Sequence, residues 1–156
     1  MGLHTNMRTE PVERLHLREA LLVQRDDTVR EVVVRMREKQ LGCVYIVDEQ
    51  RKPIGIFTEH LLNRVLVENP SSLDAPVGNH MVSAQTNVKM SDPIVRVLSA
   101  MQGDDKRFVC VLDDEGRVAA LTGQKGLMEY IGEHFPGQIM VQRIGCAPFI
   151  HQREGA

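Results

Sequence analysis

The run Thr122-Gly-Gln-Lys-Gly126 sets glycines and a cation where a helical pattern begins. At the start of a helix the first backbone N–H groups lack intrahelical partners and favour an anion, and glycine lets that anion come close. Lys125 would add a positive charge. The same run also reads as a plain glycine turn. It is not a Walker A loop, which places four residues between its glycines and then Lys. Thr58 stands where an apolar run gives way to a helical pattern, so its hydroxyl can cap that helix, meet a ligand, or both. His60 can meet a phosphate when protonated or simply face water.

Nothing resembles a catalytic set: there is no Gly-x-Ser-x-Gly, no His-Glu-x-x-His and no paired acid with a nearby base motif. His4, His16, His80, His134 and His151 are scattered without metal-ligand spacing. Cys43, Cys110 and Cys146 are odd in number and far apart, which suggests neither a disulfide framework nor a zinc site. Cys43 and Cys110 sit in apolar runs and read as buried free thiols. No enzyme and no metal site are expected. With 42% apolar and 26% charged residues, 4% aromatics and no Trp, the 156-residue chain should form a globular domain with an aliphatic core. A net charge of −2 and a pI near 6.3 argue against nucleic-acid binding by bulk charge, and the densest basic spot is only the pair Lys106-Arg107. No apolar run reaches the ~20 residues of a membrane span, and the N-terminus lacks a signal-peptide core and a myristoylation pattern. The expected location is cytoplasmic, with no membrane contact.

The elements that would carry these residues occur twice, 65 positions apart. Apolar residues at Val29, Val32, Val33 and Met36, and again at Ile94, Val97, Leu98 and Met101, mark one face of a helix. Thr28 and Glu31 form a capping box for the first; Asp92 before Pro93 reads as an N-cap for the second. Each helix is followed by two short β-rich runs around a polar turn. The first pair is Cys43–Val47 and Ile54–Phe57; the second is Phe108–Leu112 and Val118–Leu121. A closing helix spans about Glu59–Glu68 in one unit and Gln124–His134 in the other, each stopped by a proline. Apolar runs at Ala20–Val23, and more weakly around Met81, Val82 and Val88, precede the units. One unit of about 60 residues buries little surface alone, so two should share a core across a pseudo-twofold axis.

The run from Val44 to Glu59, its counterpart from Val109 to Thr122, and the upstream Arg25-Asp-Asp-Thr-Val29 resemble repeats of the CBS family. The resemblance covers Pro11 to Pro136. It implies an α+β fold of tandem βαββα repeats paired as a Bateman module. Repeat 1 would span 11–68, a linker 69–76 and repeat 2 77–136, with a C-terminal tail at 137–156. The tail carries Ile139, Met140, Val141, Ile144, Phe149 and Ile150, enough apolar surface to dock on its own cleft, a dimer mate or a client. The resemblance further implies homodimerisation and adenosine-containing ligands in the clefts. Leu62, Val65, Leu66, Leu127, Met128 and Ile131 would supply apolar helix surface for the dimer.

The family's ligand signature is Gly, two apolar residues, Ser or Thr, two variable residues, then Asp. Here the first repeat keeps Gly55 and Thr58, but Leu61 stands at the Asp position unless one residue is deleted before it. In the second repeat, an offset of 65 puts Gly123 and Gly126 at the hydroxyl and Asp positions; a one-residue slip puts Thr122 and Lys125 there. Either way both ribose carboxylates are missing. A nucleotide would then be held by phosphate more than by ribose, and 2′-deoxy analogues should bind nearly as well as their parents. Val23, Val44, Val88 and Val109 line an adenine slot or form ordinary core. The expected function is a stand-alone CBS-pair regulatory module that senses an AMP-, ADP- or ATP-type ligand and signals to a separate client protein. The alternative is a structural dimerisation or adaptor module with degenerate sites. No cofactor is certain; an adenine nucleotide is the expected ligand.

Overall fold

A computed structural model of the chain describes residues 2–84, 86–102 and 107–136. A short helix, α1 (Leu3–Thr9), precedes a first unit of β1 (Leu22–Val23), α2 (Val29–Lys39), β2 (Cys43–Val47), β3 (Pro53–Thr58) and α3 (Glu59–Glu68). The second unit repeats it with β4 (Asn87–Lys89), α4 (Val95–Met101), β5 (Phe108–Leu112), β6 (Val118–Gly123) and α5 (Gln124–His134). Each unit forms one three-stranded sheet whose first strand runs parallel and whose last runs antiparallel to the middle one. The registers match: Cys43 faces Thr58 as Phe108 faces Gly123, and a bulge recurs after Ile46 and after Val111. The expected α+β fold of paired βαββα repeats is what the chain adopts.

The capping box of α2 is formed. Thr28 Oγ1 accepts from the Glu31 amide at 3.2 Å, and the Thr28 amide donates to Glu31 at 2.9 Å. That arrangement satisfies two otherwise free donors and stabilises the helix by about 1 kcal/mol. The second helix departs from expectation. Asp92 does not cap it; its carboxylate accepts from the Lys89 amide at 2.8 Å and closes the turn after β4. Asp27 does the same for Gln24 in the first unit. The counterpart of Thr28 is therefore Pro93, which has no hydroxyl or N–H to offer, and α4 has seven residues against eleven in α2.

The two units exchange their entry segments. Val12 donates its amide to the Asp92 carbonyl at 2.8 Å, while Ile94 donates to Glu10 at 2.9 Å. The mirror contacts are Val77 to Asp27 at 2.7 Å and Val29 to Ala75 at 3.0 Å. Met7, Val12 and Leu15 are accordingly buried with Val97, Val109 and Leu127 in the second unit's core. Val77 is buried with Val32, Ile46 and Phe57 in the first unit's core. Tyr130 of α5 donates to Glu10 at 2.8 Å and ties the first entry segment down.

A third apolar layer joins the sheets. Strand β2 is buried on both faces, so Val44 and Ile46 pack into their own unit, while Cys43, Tyr45 and Val47 meet Cys110, Val118 and Leu121. Of the residues expected to offer a dimer surface, Val65 and Leu127 are buried in the cores, while Leu66 and Met128 are exposed, together with Val67. The tail at 137–156, with Cys146, lies outside the described residues.

Candidate functional site

Two adjoining clefts open where the first entry segment, the end of α2 and the start of α5 meet. The smaller, of about 120 Å³, is lined by His16 and Arg18, by Gln40, Leu41 and Gly42, by Arg107 and Phe108, and by Leu121 to Gly123 with Lys125 and Gly126. The larger, of about 400 Å³, shares Arg18, Gln40 and Leu41 and adds Glu19, Ala20, Leu21 and Lys39. That volume lies in the range of small-ligand sites, about 300–1,000 Å³.

Backbone contacts hold the lining in place. Arg18 and Leu121 exchange both hydrogen bonds, at 2.9 and 2.8 Å, so the entry segment runs beside β6 as an added edge. Gln40 ends α2 in a left-handed conformation (φ 53°), a post more often filled by glycine. Strand pairing brings the Arg107 carbonyl against Gly123 so closely that any Cβ at 123 would collide with it. A Cβ at Gly126 would come within 2.6 Å of Thr122 Oγ1. The two signature positions of the second repeat are thus closed to side chains by packing. Thr122 itself is only 5% exposed, and its Oγ1 is buried without a hydrogen-bond partner among the described residues. A buried hydroxyl left unmatched costs about 1–3 kcal/mol.

The charge in the clefts is lopsided. Arg18, Lys39, Arg107 and Lys125 line them, with His16 as a fifth cation when protonated, against Glu19 as the single acidic lining residue. Arg18 reaches Glu129 at 3.4 Å and His16 reaches Glu133 at 3.0 Å, both on α5 and both partly exposed. Among the described residues, Lys39, Arg107 and Lys125 have no ion-pair partner. The start of α5 adds free backbone amides to this field.

The residues singled out in the sequence fall into three groups. Thr122, Gly123 and Lys125 line the smaller cleft. The strand register holds the offset of 65 through β6, so Gly123 is the counterpart of Thr58, and Thr122 that of buried Phe57. Thr58 caps α3, its Oγ1 accepting from the Leu61 amide at 3.3 Å; Gly55 is covered by the Met81 side chain, and His60 is exposed. Val23, Val44, Val88 and Val109 are core residues, at most 3% exposed, and line neither cleft. Sequence reading missed His16, Arg18, Glu19, Lys39, Gln40 and Arg107 as one site. They come from separate loops, and only the pair Lys106-Arg107 carried a signal; Lys106 lies outside the described residues.

Burial between the sheets pushes the thiols of Cys43 and Cys110 up to about 12, with their mutual repulsion adding to the shift at Cys43. Burial raises the Tyr45 hydroxyl as well. These groups stay neutral at ordinary pH and offer no nucleophile. Among the described residues no group of three His, Cys, Asp or Glu side chains could hold a metal ion, and no helix is long and apolar enough to cross a membrane.

The family model of the CBS domain matches residues 7–68, and the second unit repeats that fold in the same register. The CBS domain pair of protein MJ0100, solved with 5′-methylthioadenosine and S-adenosyl-L-methionine, superposes with a TM-score of 0.70 at 18% identity, over 80% of this chain and 98% of that one. The first unit matches the CBS domain, and the chain as a whole has the fold of a CBS-domain pair. A second solved CBS protein, PAE2072 from Pyrobaculum aerophilum in complex with AMP, gives a TM-score of 0.69 at 19% identity, over 76% of this chain and 90% of that one. Among curated proteins, an uncharacterised protein of Methanopyrus kandleri is 24% identical over 79% of this chain, which spans 63% of that protein's length. An uncharacterised 17.7 kDa protein of Acidianus ambivalens is 22% identical over 74% of this chain and 70% of that one. The cleft between the repeats at α5 is lined by Arg18, Arg107 and Lys125.

Proposed function

We propose that this CBS pair is a regulatory module that binds an adenosine-containing ligand through its phosphates, at the cleft between the entry segment and α5, and signals to a separate client. The observation that carries this reading is the convergence of Arg18, Arg107 and Lys125 on the start of α5, beside the unmatched hydroxyl of Thr122. Backbone amides and cations there can share a phosphate. The complexes of AMP and of S-adenosyl-L-methionine with similar CBS pairs support the adenosine class. Exposed Leu66, Val67 and Met128 support a homodimer joined through α3 and α5. The first repeat favours the adaptor alternative for its own half, because Met81 fills the space over Gly55 and Phe57 is fully buried.

The test is a thermal-shift screen against AMP, ADP, ATP, S-adenosyl-L-methionine and dinucleotides. A ligand that binds only the native state at about 100 times its Kd stabilises by about 2.7 kcal/mol. For a chain of this size that raises Tm by roughly 5–10 °C. Phosphorylated ligands should outrank adenosine. No shift with any of them would overturn the reading and leave the adaptor role.

A further inference from the structure

We infer that Glu19 is the ribose-reading residue of the cleft: its carboxylate accepts from the 2′- and 3′-hydroxyls of a nucleotide whose phosphates lie at the start of α5. The inference rests on the nucleotide reading above and deepens it. Neither signature position of the second repeat can carry a carboxylate, since Gly126 is closed by Thr122 and Gly123 by the Arg107 carbonyl. Among the residues lining the two clefts, Glu19 is the single acid, and it lines the larger chamber, away from Gly123 and Lys125 in the smaller one. The acid and the start of α5 thus stand in different chambers: Arg107, Lys125, the helix amides and the buried hydroxyl line the smaller one, Glu19 and Lys39 the larger, and Arg18 lines both. A ligand that is anionic at one end and carries a cis-diol further along matches that division, because an ionised carboxylate can accept from both hydroxyls.

The position of Glu19 is held on both sides. Arg18 is clamped to Leu121 by two backbone bonds, and the Leu21 carbonyl accepts from the Tyr45 amide at 2.9 Å. Its carboxylate has no hydrogen-bond or ion-pair partner among the described residues, while neighbouring Arg18 is engaged by Glu129. An acceptor on a fixed backbone with no competing partner loses little on meeting a diol.

The experiment is calorimetry of the full chain with ATP, ADP and AMP and with their 2′-deoxy counterparts, on the wild type and on Glu19→Gln. The wild type should prefer each ribonucleotide over its deoxy form by roughly tenfold, the scale of one hydrogen bond to a charged group. Glu19→Gln should weaken the ribonucleotide about a hundredfold and the deoxynucleotide, which keeps its 3′-hydroxyl bond, only about tenfold, and so erase the preference. Equal losses for both sugars, or a preference unchanged by Glu19→Gln, would overturn the assignment of Glu19 while leaving the phosphate site standing. Absence of heat with every nucleotide would overturn the nucleotide reading itself. A melting curve of the variant within about 1 °C of wild type identifies the loss as one of recognition, as expected for an exposed side chain.

Discussion

The two repeats share one backbone plan and have opposite clefts. Beside β6 stands Arg18, and beside β3, in the same bonding role, stands Val82. Thr122, Gly123, Lys125 and Gly126 in the second repeat correspond to Phe57, Thr58, His60 and Leu61 in the first. One side is glycine-lined and cationic. The other is stitched with apolar side chains, Met81 lying over Gly55 and Phe57 fully buried. The difference teaches that duplicated backbone geometry does not duplicate a site. Packing at five or six positions decides whether the space between repeats is a cleft or a seam.

The largest expected effect comes from exchanging the two helix caps. Gly123→Thr drives a side chain into the Arg107 carbonyl and should destabilise by about 1–3 kcal/mol, the usual cost of overpacking. Thr58→Gly loses a cap bond and should cost only a few tenths of a kcal/mol. Chemical denaturation of the two variants measures the contrast, and equal costs would show that the caps are interchangeable. Next comes ligand affinity. Lys125→Ala should weaken ATP by roughly three- to tenfold, since a contact with an exposed cation lies at the lower end of charged hydrogen bonds. His60→Ala should leave it unchanged, and calorimetry should return one nucleotide per chain. A second site, or a loss with His60→Ala, would break the asymmetry.

Smaller effects sharpen the comparison. Glu129 holds Arg18 at 3.4 Å and competes with any phosphate for it. Glu129→Gln should therefore tighten ATP by about two- to fivefold, the scale of an exposed ion pair, as read by the same titration. The layer that both repeats share gives the last test. Cys43 and Cys110 are raised from 9.0 to about 12, so their folded-state values lie above the unfolded ones. The stability they contribute is fully present below pH 9 and is lost as pH climbs toward 12. In a Cys146→Ser variant, a thiol reagent at pH 8 should find no fast-reacting cysteine until denaturant is added. Prompt reaction would mean that the sheets part more readily than their burial implies.

The fold was legible wherever contacts are local. The capping box of Thr28 and Glu31, both hairpins and both closing helices are written in residues a few positions apart. Asp92 misled because an acid before proline suits a helix cap, whereas here it closes the preceding turn. Entry-segment exchange had no sequence signal, since Val12 and Asp92 meet only in three dimensions. The site was half legible. Glycines and Lys125 at the start of a helix suggest an anion, and the repeat suggested that Gly123 stands for Thr58, but strand pairing was needed to exclude the slipped register. Arg18, Glu19 and Gln40 carry no periodicity that would unite them. The four valines satisfy a core pattern and a slot pattern equally well, and burial in the sheets placed them in the core.

The exchanged entry segments also govern how the chain comes into being. Residues 3–15 leave the ribosome well before their partners near residues 92–97 and 127–130. At ordinary synthesis rates that interval is on the order of ten seconds. Through it Met7, Val12 and Leu15 are waiting hydrophobes with no native surface to cover them. Long-range closure of this kind slows folding and ties both halves into one cooperative event. Neither repeat can finish before the other, so the nascent chain holds no completed half to release, and truncation between the repeats would leave a sticky arm rather than a smaller working protein.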